Sequence, residues 1–196
     1  MSVGGIVLAA GGSRRMGRPK AMLEIDGVTF LERAIRTLAA GGCDPVVAVL
    51  GEGEAEGTAG RIAQASGARP VENALAEAEQ IDSLRIGLDA LPEDAEAAVA
   101  LPVDHPLASP AVVAALVHAF RSSGESIVRP VYRDRPGHPV LFARTIWKEL
   151  AEPDLEHGAR DVVHRHASEI RDVPLDDRGV VIDIDTPGDY QREVGS

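Results

Sequence analysis

Between Leu8 and Lys20 the chain reads Leu-Ala-Ala-Gly-Gly-Ser-Arg-Arg-Met-Gly-Arg-Pro-Lys, a stretch whose backbone and side chains both suit an anion. Gly11 and Gly12 allow a tight turn that aims backbone N–H groups outward. Arg14, Arg15, Arg18 and Lys20 add four cations within seven residues. In a chain of net charge −11 this is a local reversal of sign, and nucleotide phosphates are its natural guest. The same residues also read as a solvated basic loop between a strand and a helix. Two common phosphate motifs are not met. A Walker A loop requires Lys-Ser or Lys-Thr directly after its second glycine, whereas Gly17 is followed by Arg18-Pro19-Lys20. A dinucleotide fingerprint requires Gly-x-Gly-x-x-Gly, which Gly12, Ser13 and Met16 do not supply.

Two carboxylates fall at comparable places further on. Asp104 follows the apolar run AAVALPV and precedes His105-Pro106; Asp185 ends VVIDID and precedes Thr186-Pro187. Hard oxygen ligands beside a polyphosphate are what Mg2+ takes, one or two carboxylates being completed by phosphate oxygens and water. Aspartates before prolines also serve as turn and N-cap residues, and each residue taken singly supports both readings. Of Asp183 and Asp185, the second, at the end of the segment, is the preferred ligand.

These residues need a scaffold that brings strand ends together. Apolar runs at Gly5 to Ala10, Pro45 to Leu50, Ala68 to Glu72 and Ala97 to Val103 are predicted strands. Ser126 to Tyr132 and His138 to Phe142 are predicted strands around a Pro136-Gly137 turn, and Val180 to Asp185 a last one. Helical spacing marks Phe30 to Ala40, stopped by Gly41-Gly42, and Ile81 to Leu91, with a weaker helix at Thr58 to Ala65. Ser109-Pro110 should open a helix running to about Arg121, and Thr186 to Asp189 a final one through a capping box. Thr145 to Ala151 and Ala159 to Ala167 are further helices. Alternation of this kind predicts an α/β, Rossmann-like three-layer domain with a mostly parallel sheet, spanning residues 1–196. Such sheets bind ligands beyond the carboxyl ends of their strands, which directs attention to the loops after Ala10, Val103 and Ile184.

The 196 residues are 44% hydrophobic, enough for one sizeable core. Net acidity argues against nucleic acid as a partner, and 3% aromatic residues argue against base-stacking platforms. No apolar run approaches about 18 residues, so no membrane span is expected. The single cysteine, Cys43, rules out a disulfide framework or a Cys-based zinc site and fits a cytoplasmic location; it reads as a small buried filler, and Trp147 as core. His164 and His166 lie two apart on a helix and face different sides, so they make no metal pair.

Taken together, the chain resembles the nucleotidyltransferases of the molybdenum cofactor type, most of all the molybdenum cofactor cytidylyltransferases and beside them the molybdopterin-guanine dinucleotide synthases, whose domain is related to glycosyltransferase-A folds. Their pattern Leu-Ala-Ala-Gly-x-Ser-x-Arg-Met-Gly-x-x-Lys is matched by Leu8, Ala9, Ala10, Gly11, Ser13, Arg15, Met16, Gly17 and Lys20. Asp104-His105-Pro106, Ser83 to Leu88, Gly137 to Val140, Gly158-Ala159-Arg160 and Asp183 to Pro187 match further motifs, so the resemblance runs from residue 8 to residue 187. One departure is Gln80-Ile81-Asp82, where small hydroxyl residues are common in the family.

The resemblance implies transfer of CMP from CTP to the phosphate of a molybdopterin acceptor with release of pyrophosphate. GTP-using relatives carry Leu-Ala-Gly-Gly where this chain has Ala10. It implies catalytic roles for Arg15 and Lys20 on the triphosphate, and nucleotide contacts from Leu8, Ala9, Ala10, Gly11, Gly12, Ser13, Ser83 and Leu84. Asp104 and Asp185 would hold Mg2+. Gly137, His138, Pro139 and Arg160 would face the acceptor; His138 reads equally as a turn histidine and Arg160 also as a helix-surface charge. A molybdenum hydroxylase is the implied recipient of the product. Competing readings are the same fold acting with GTP or on a sugar phosphate or phospholactate, and a non-catalytic nucleotide-binding module that delivers cofactor.

Overall fold

The computed structural model describes residues 2–11, 16–17, 19–75 and 79–195. β1 (Ser2–Leu8) lies at the middle of the main sheet, with Val3, Ile6 and Val7 almost fully buried. It is flanked by β4 (Val46–Gly51) and β6 (Ala95–Pro102), both parallel to it, and β5 (Ala68–Asn73) extends the sheet beyond β4, also in parallel. On the other side β9 (Val140–Ala143) runs antiparallel to β6 and to β7 (Ile127–Tyr132), and β10 (Ile170–Pro174) pairs parallel with β7. The order across the sheet is β10-β7-β9-β6-β1-β4-β5, with β8 (Arg135–Pro136) folded back on β7. A separate two-stranded hairpin joins β2 (Glu24–Ile25) to β3 (Val28–Thr29).

Helices cover both faces. α1 (Phe30–Ala40), α2 (Thr58–Ala65) and α4 (Pro110–Ser123) contribute to one apolar cluster, including Ile35, Leu38, Ala63, Val113 and Leu116. α3 (Gln80–Asp89), α5 (Trp147–Leu150) and α6 (Ala159–Arg165) contribute Ile81, Leu84, Leu88, Leu150 and Val162 to the other. The last helix, α7 (Pro187–Glu193), packs Tyr190 against Phe30, ring centroids 6.2 Å apart. Close approach of α3 to the sheet depends on Gly87, where a Cβ would lie 2.4 Å from Ile6 Cγ2. The chain runs β1, β4, β5 outward in one direction and then returns to place β6 on the other side of β1. The switch point of the sheet therefore falls between β1 and β6, where such folds form a crevice for ligands.

The structure departs from the sequence reading in four places. The segment Val180 to Asp185 alternates like a strand but forms none: a 3-10 turn covers Arg178–Val181 and the next residues run extended, with Ile184 N donating to Asp104 O at 2.8 Å. The strand at this end of the chain is β10, whose charged, half-exposed residues obscured it. The hairpin turn expected at Pro136-Gly137 falls instead at Arg133 and Asp134, both with positive φ. Ser109 occupies the N-cap of α4, yet its hydroxyl donates to Asp177 Oδ2 at 2.7 Å and caps nothing. Among the described residues no helix is long and apolar enough to cross a membrane.

Candidate active site

The carboxyl end of β1 leads through Ala9 and Ala10 into the glycine loop. Ala9 is buried and donates its N–H to Val49 O at 2.9 Å; Ala10 is half-buried and Gly11 exposed. Gly12, Ser13, Arg14, Arg15 and Arg18 lie outside the described residues. The chain returns through a short 3-10 turn, Lys20–Met22, anchored by the buried Ala21 and Leu23. That anchor presents the Lys20 side chain, only 14% exposed, to two carboxylates distant in sequence.

Lys20 Nζ donates to Asp104 Oδ2 at 3.0 Å and also to Asp185 Oδ1. Both acids are partly shielded, at 27% and 24% exposure. Burial pulls the Lys20 ammonium toward deprotonation, but its hydrogen bonds and charge contacts with Asp185 and Asp104 outweigh that, and its pKa is raised. Asp104 is placed by the end of β6, where Val103 N donates to Leu8 O at 3.0 Å. Asp185 is placed by the Ile184–Asp104 backbone bond and by the capping box of α7, in which Asp189 accepts from the N–H groups of Asp185 and Thr186 at 3.2 and 2.8 Å. Hydrogen bonds from Thr186, then Arg192, hold the Asp189 carboxyl down to about 2. The sequence placed Asp104 and Asp185 at two separate loops; the fold delivers them to one ammonium.

Two carboxylates around one cation suit a divalent ion, provided phosphate or water completes the shell. Among the described residues no group of three or more His, Cys, Asp or Glu side chains could hold a metal alone. A position already occupied by an ammonium, with hard oxygens on either side, fits that chemistry.

Beside this centre lies a pair of histidines. His105 Nε2 is 4.0 Å from Asp104 Oδ1, and its ring meets that of His138 at 4.5 Å between centroids. Burial, then the neighbouring His105 and Arg160, pushes His138 down to about 4, so its imidazole is neutral near pH 7. Among the described residues the buried Nδ1 atoms of both histidines have no hydrogen-bond partner. His138 lines a pocket of about 310 Å³ over the β1, β6 and β9 ends, floored by Leu8, Leu84 and Phe142 and rimmed by Glu79, Glu156 and Arg160.

The residues expected to serve an acceptor thus divide. His138 and Arg160 line the pocket. Gly137 and Pro139 shape the backbone instead: a Cβ on Gly137 would lie 2.2 Å from Val180 O, and His138 N donates to that same carbonyl at 2.8 Å. Of the two α3 residues expected to contact nucleotide, Leu84 lines the pocket, whereas the Ser83 hydroxyl is buried and accepts from Asn73 Nδ2 at 3.0 Å. Asn73 and His105 were not singled out in the sequence. His105 could have been, from its place inside Asp104-His105-Pro106; Asn73 gave no signal, because its role depends on α3 packing beside β5.

Lys20, Asp104 and Asp185 thus gather at the switch point of a three-layer α/β domain, where such folds bind nucleotides and other ligands. The chain belongs to the MobA-like NTP transferase domain family, whose model matches residues 5–170. It is 30% identical over 202 residues to a probable molybdenum cofactor guanylyltransferase of Opitutus terrae, covering 98% of this chain and 95% of that protein. It is similar in structure to Rv0371c of Mycobacterium tuberculosis, with a TM-score of 0.82, 30% identity and 100% and 99% of the two chains covered. A manganese complex of Rv0371c aligns with a TM-score of 0.78 at 30% identity over the whole of both chains.

Proposed function

We propose that the chain is a Mg2+-dependent nucleotidyltransferase that moves CMP from CTP to the phosphate of a molybdopterin-type acceptor. The observation that carries this reading is the convergence of Asp104 and Asp185 on Lys20 beside the glycine loop. An acceptor phosphate oxygen attacks the α-phosphorus, the bond to the bridging oxygen breaks, and pyrophosphate leaves with the displaced charge. The acceptor is already ionised at neutral pH, so no protein nucleophile or base is required. Catalysis here is a matter of positioning anions and stabilising the charge that develops on the leaving group.

Lys20 and Arg15 serve the triphosphate and its leaving group. Gly11, Gly12 and Ser13 offer backbone N–H groups to phosphate oxygens, and Leu8, Ala9 and Ala10 border the nucleotide. Asp104 and Asp185 hold the ion, which when bound neutralises phosphate oxygens at the reacting centre; the manganese complex of Rv0371c supports a divalent cation. Neutral His138 and cationic Arg160 orient the acceptor in the adjoining pocket, with Gly137 and Pro139 fixing the His138 backbone. Leu84 borders the nucleotide from α3, and Ser83 supports that contact from behind through its bond with Asn73. A molybdenum hydroxylase is the proposed recipient of the nucleotide-bearing product.

Base choice rests on Ala10, whose methyl group replaces the open backbone edge of a Leu-Ala-Gly-Gly sequence. GTP is the second reading, favoured by whole-length relatives named as guanylyltransferases at 28–30% identity. Pyrophosphate release measured with all four nucleoside triphosphates, against molybdopterin and sugar-phosphate acceptors, tests both. Highest kcat/KM for CTP with molybdopterin supports the first reading and highest kcat/KM for GTP the second. Tight nucleotide binding without turnover on any acceptor overturns both in favour of a delivery module.

A further inference from the structure

We propose that Lys20 is a resident surrogate for the metal, so that the Asp104–Asp185 site accepts a divalent cation only together with a polyphosphate. This rests on the reading of those acids as metal ligands and goes beyond it by assigning an order of binding. The Lys20 ammonium contacts one carboxylate oxygen of each acid and is itself largely withdrawn from solvent. The ammonium holds together two like charges that would repel if left alone.

A divalent ion arriving alone must evict that ammonium. An ion that arrives without displacing the ammonium places two positive charges directly beside a third. A triphosphate changes this balance, because it brings several negative charges to the glycine loop at whose end Lys20 sits. The ammonium then exchanges its carboxylate partners for phosphate oxygens, and the carboxylates exchange the ammonium for the ion. Each charged group keeps an opposite partner throughout. The carboxylates are pre-aligned for the ion, so little reorganisation remains when nucleotide binds.

The test is Mn2+ binding, followed by the loss of its free EPR signal, with the full-length wild type, Lys20→Met, Lys20→Gln and Lys20→Arg. Each is titrated alone and with a non-hydrolysable CTP or GTP analogue. Wild type should bind Mn2+ weakly alone and about tenfold or more tighter with analogue. Lys20→Met and Lys20→Gln should bind Mn2+ alone about tenfold or more tighter than wild type does, although they lose turnover, while Lys20→Arg stays like wild type. Thermal melting provides an independent readout of the folded state: Mn2+ alone should raise Tm in the two neutral variants and not in wild type. Equal nucleotide-free affinity in wild type and both neutral variants overturns the surrogate role and leaves the metal site standing. Failure of wild type to take up Mn2+ even with either analogue overturns the metal site itself.

Discussion

Acid should loosen this fold through His138. Burial, the His105 ring and the Arg160 charge all oppose protonation of its imidazole and hold it down at about 4, against an ordinary value near 6.5. The native state thus binds fewer protons than the unfolded chain at any pH between or near those values. Stability contributed by neutral His138 is intact well above 6.5, declines as pH falls through 6.5, and is fully lost below about 4. From the two pKa values, the loss between pH 7.5 and pH 5 is about 2 kcal/mol, and the complete loss about 3 kcal/mol at most. His138→Gln removes the titration while keeping a polar side chain of similar reach. Urea unfolding of wild type and His138→Gln at pH 7.5 and pH 5, both carrying His105→Gln, isolates the effect: the coupled neighbour is absent from both proteins, and the remaining groups titrate in both and cancel in the difference. The variant should lose about 2 kcal/mol less than wild type over that interval. Equal losses in the two proteins would falsify the claim that His138 is neutral because the fold forbids its charge.

Three further substitutions probe the packing and the pocket. Gly87→Ala forces a methyl group into Ile6, at 2.4 Å from Cγ2, and should cost about 2 kcal/mol, lowering Tm by roughly 4–8 °C in a melting curve. Ser83→Ala strands the buried Asn73 amide and should cost about 1–3 kcal/mol in urea unfolding; an unchanged midpoint would remove the Asn73–Ser83 bond from the account of α3 packing. Arg160→Ala should raise the KM for the acceptor by about tenfold while leaving the KM for nucleotide unchanged; the opposite pattern in steady-state kinetics would move Arg160 to the nucleotide.

Much of this architecture was legible because the central strands are buried on both faces and read as unbroken apolar runs. β1, β4 and β6 are of this kind, and α1 shows a continuous apolar face. Edges were less legible. β10 exposes Arg171 and Asp172 and lacks the apolar run that marked the inner strands. The β2–β3 hairpin carried a usable signal, Asp26-Gly27, which adopts positive φ at both residues, but its strands are only two residues each. Conversely Val180 to Asp185 alternates convincingly, yet the N–H of Ile184 is taken by Asp104 at the site, which replaces a ladder partner.

The site showed the same division. Each charged member could be named from its neighbours in sequence: Lys20 from the glycine loop, Asp104 and Asp185 from the ends of apolar segments. Their meeting could not, because it depends on residues separated by 84 and 165 positions folding back to the β1–β6 switch point. The pairing of His105 with His138 and of Asn73 with Ser83 is of this tertiary kind as well.

Asp104 and Asp185 are proposed to act as one cation site for a nucleoside triphosphate on the glycine loop. Crystals of the full chain grown with Mn2+ and a non-hydrolysable CTP analogue address it directly through the anomalous signal of manganese. A peak shared by the Asp104 and Asp185 carboxylates, with Lys20 turned onto the phosphates, is the expected result. A manganese peak bound to nucleotide elsewhere, with Lys20 still joined to both acids, would contradict it.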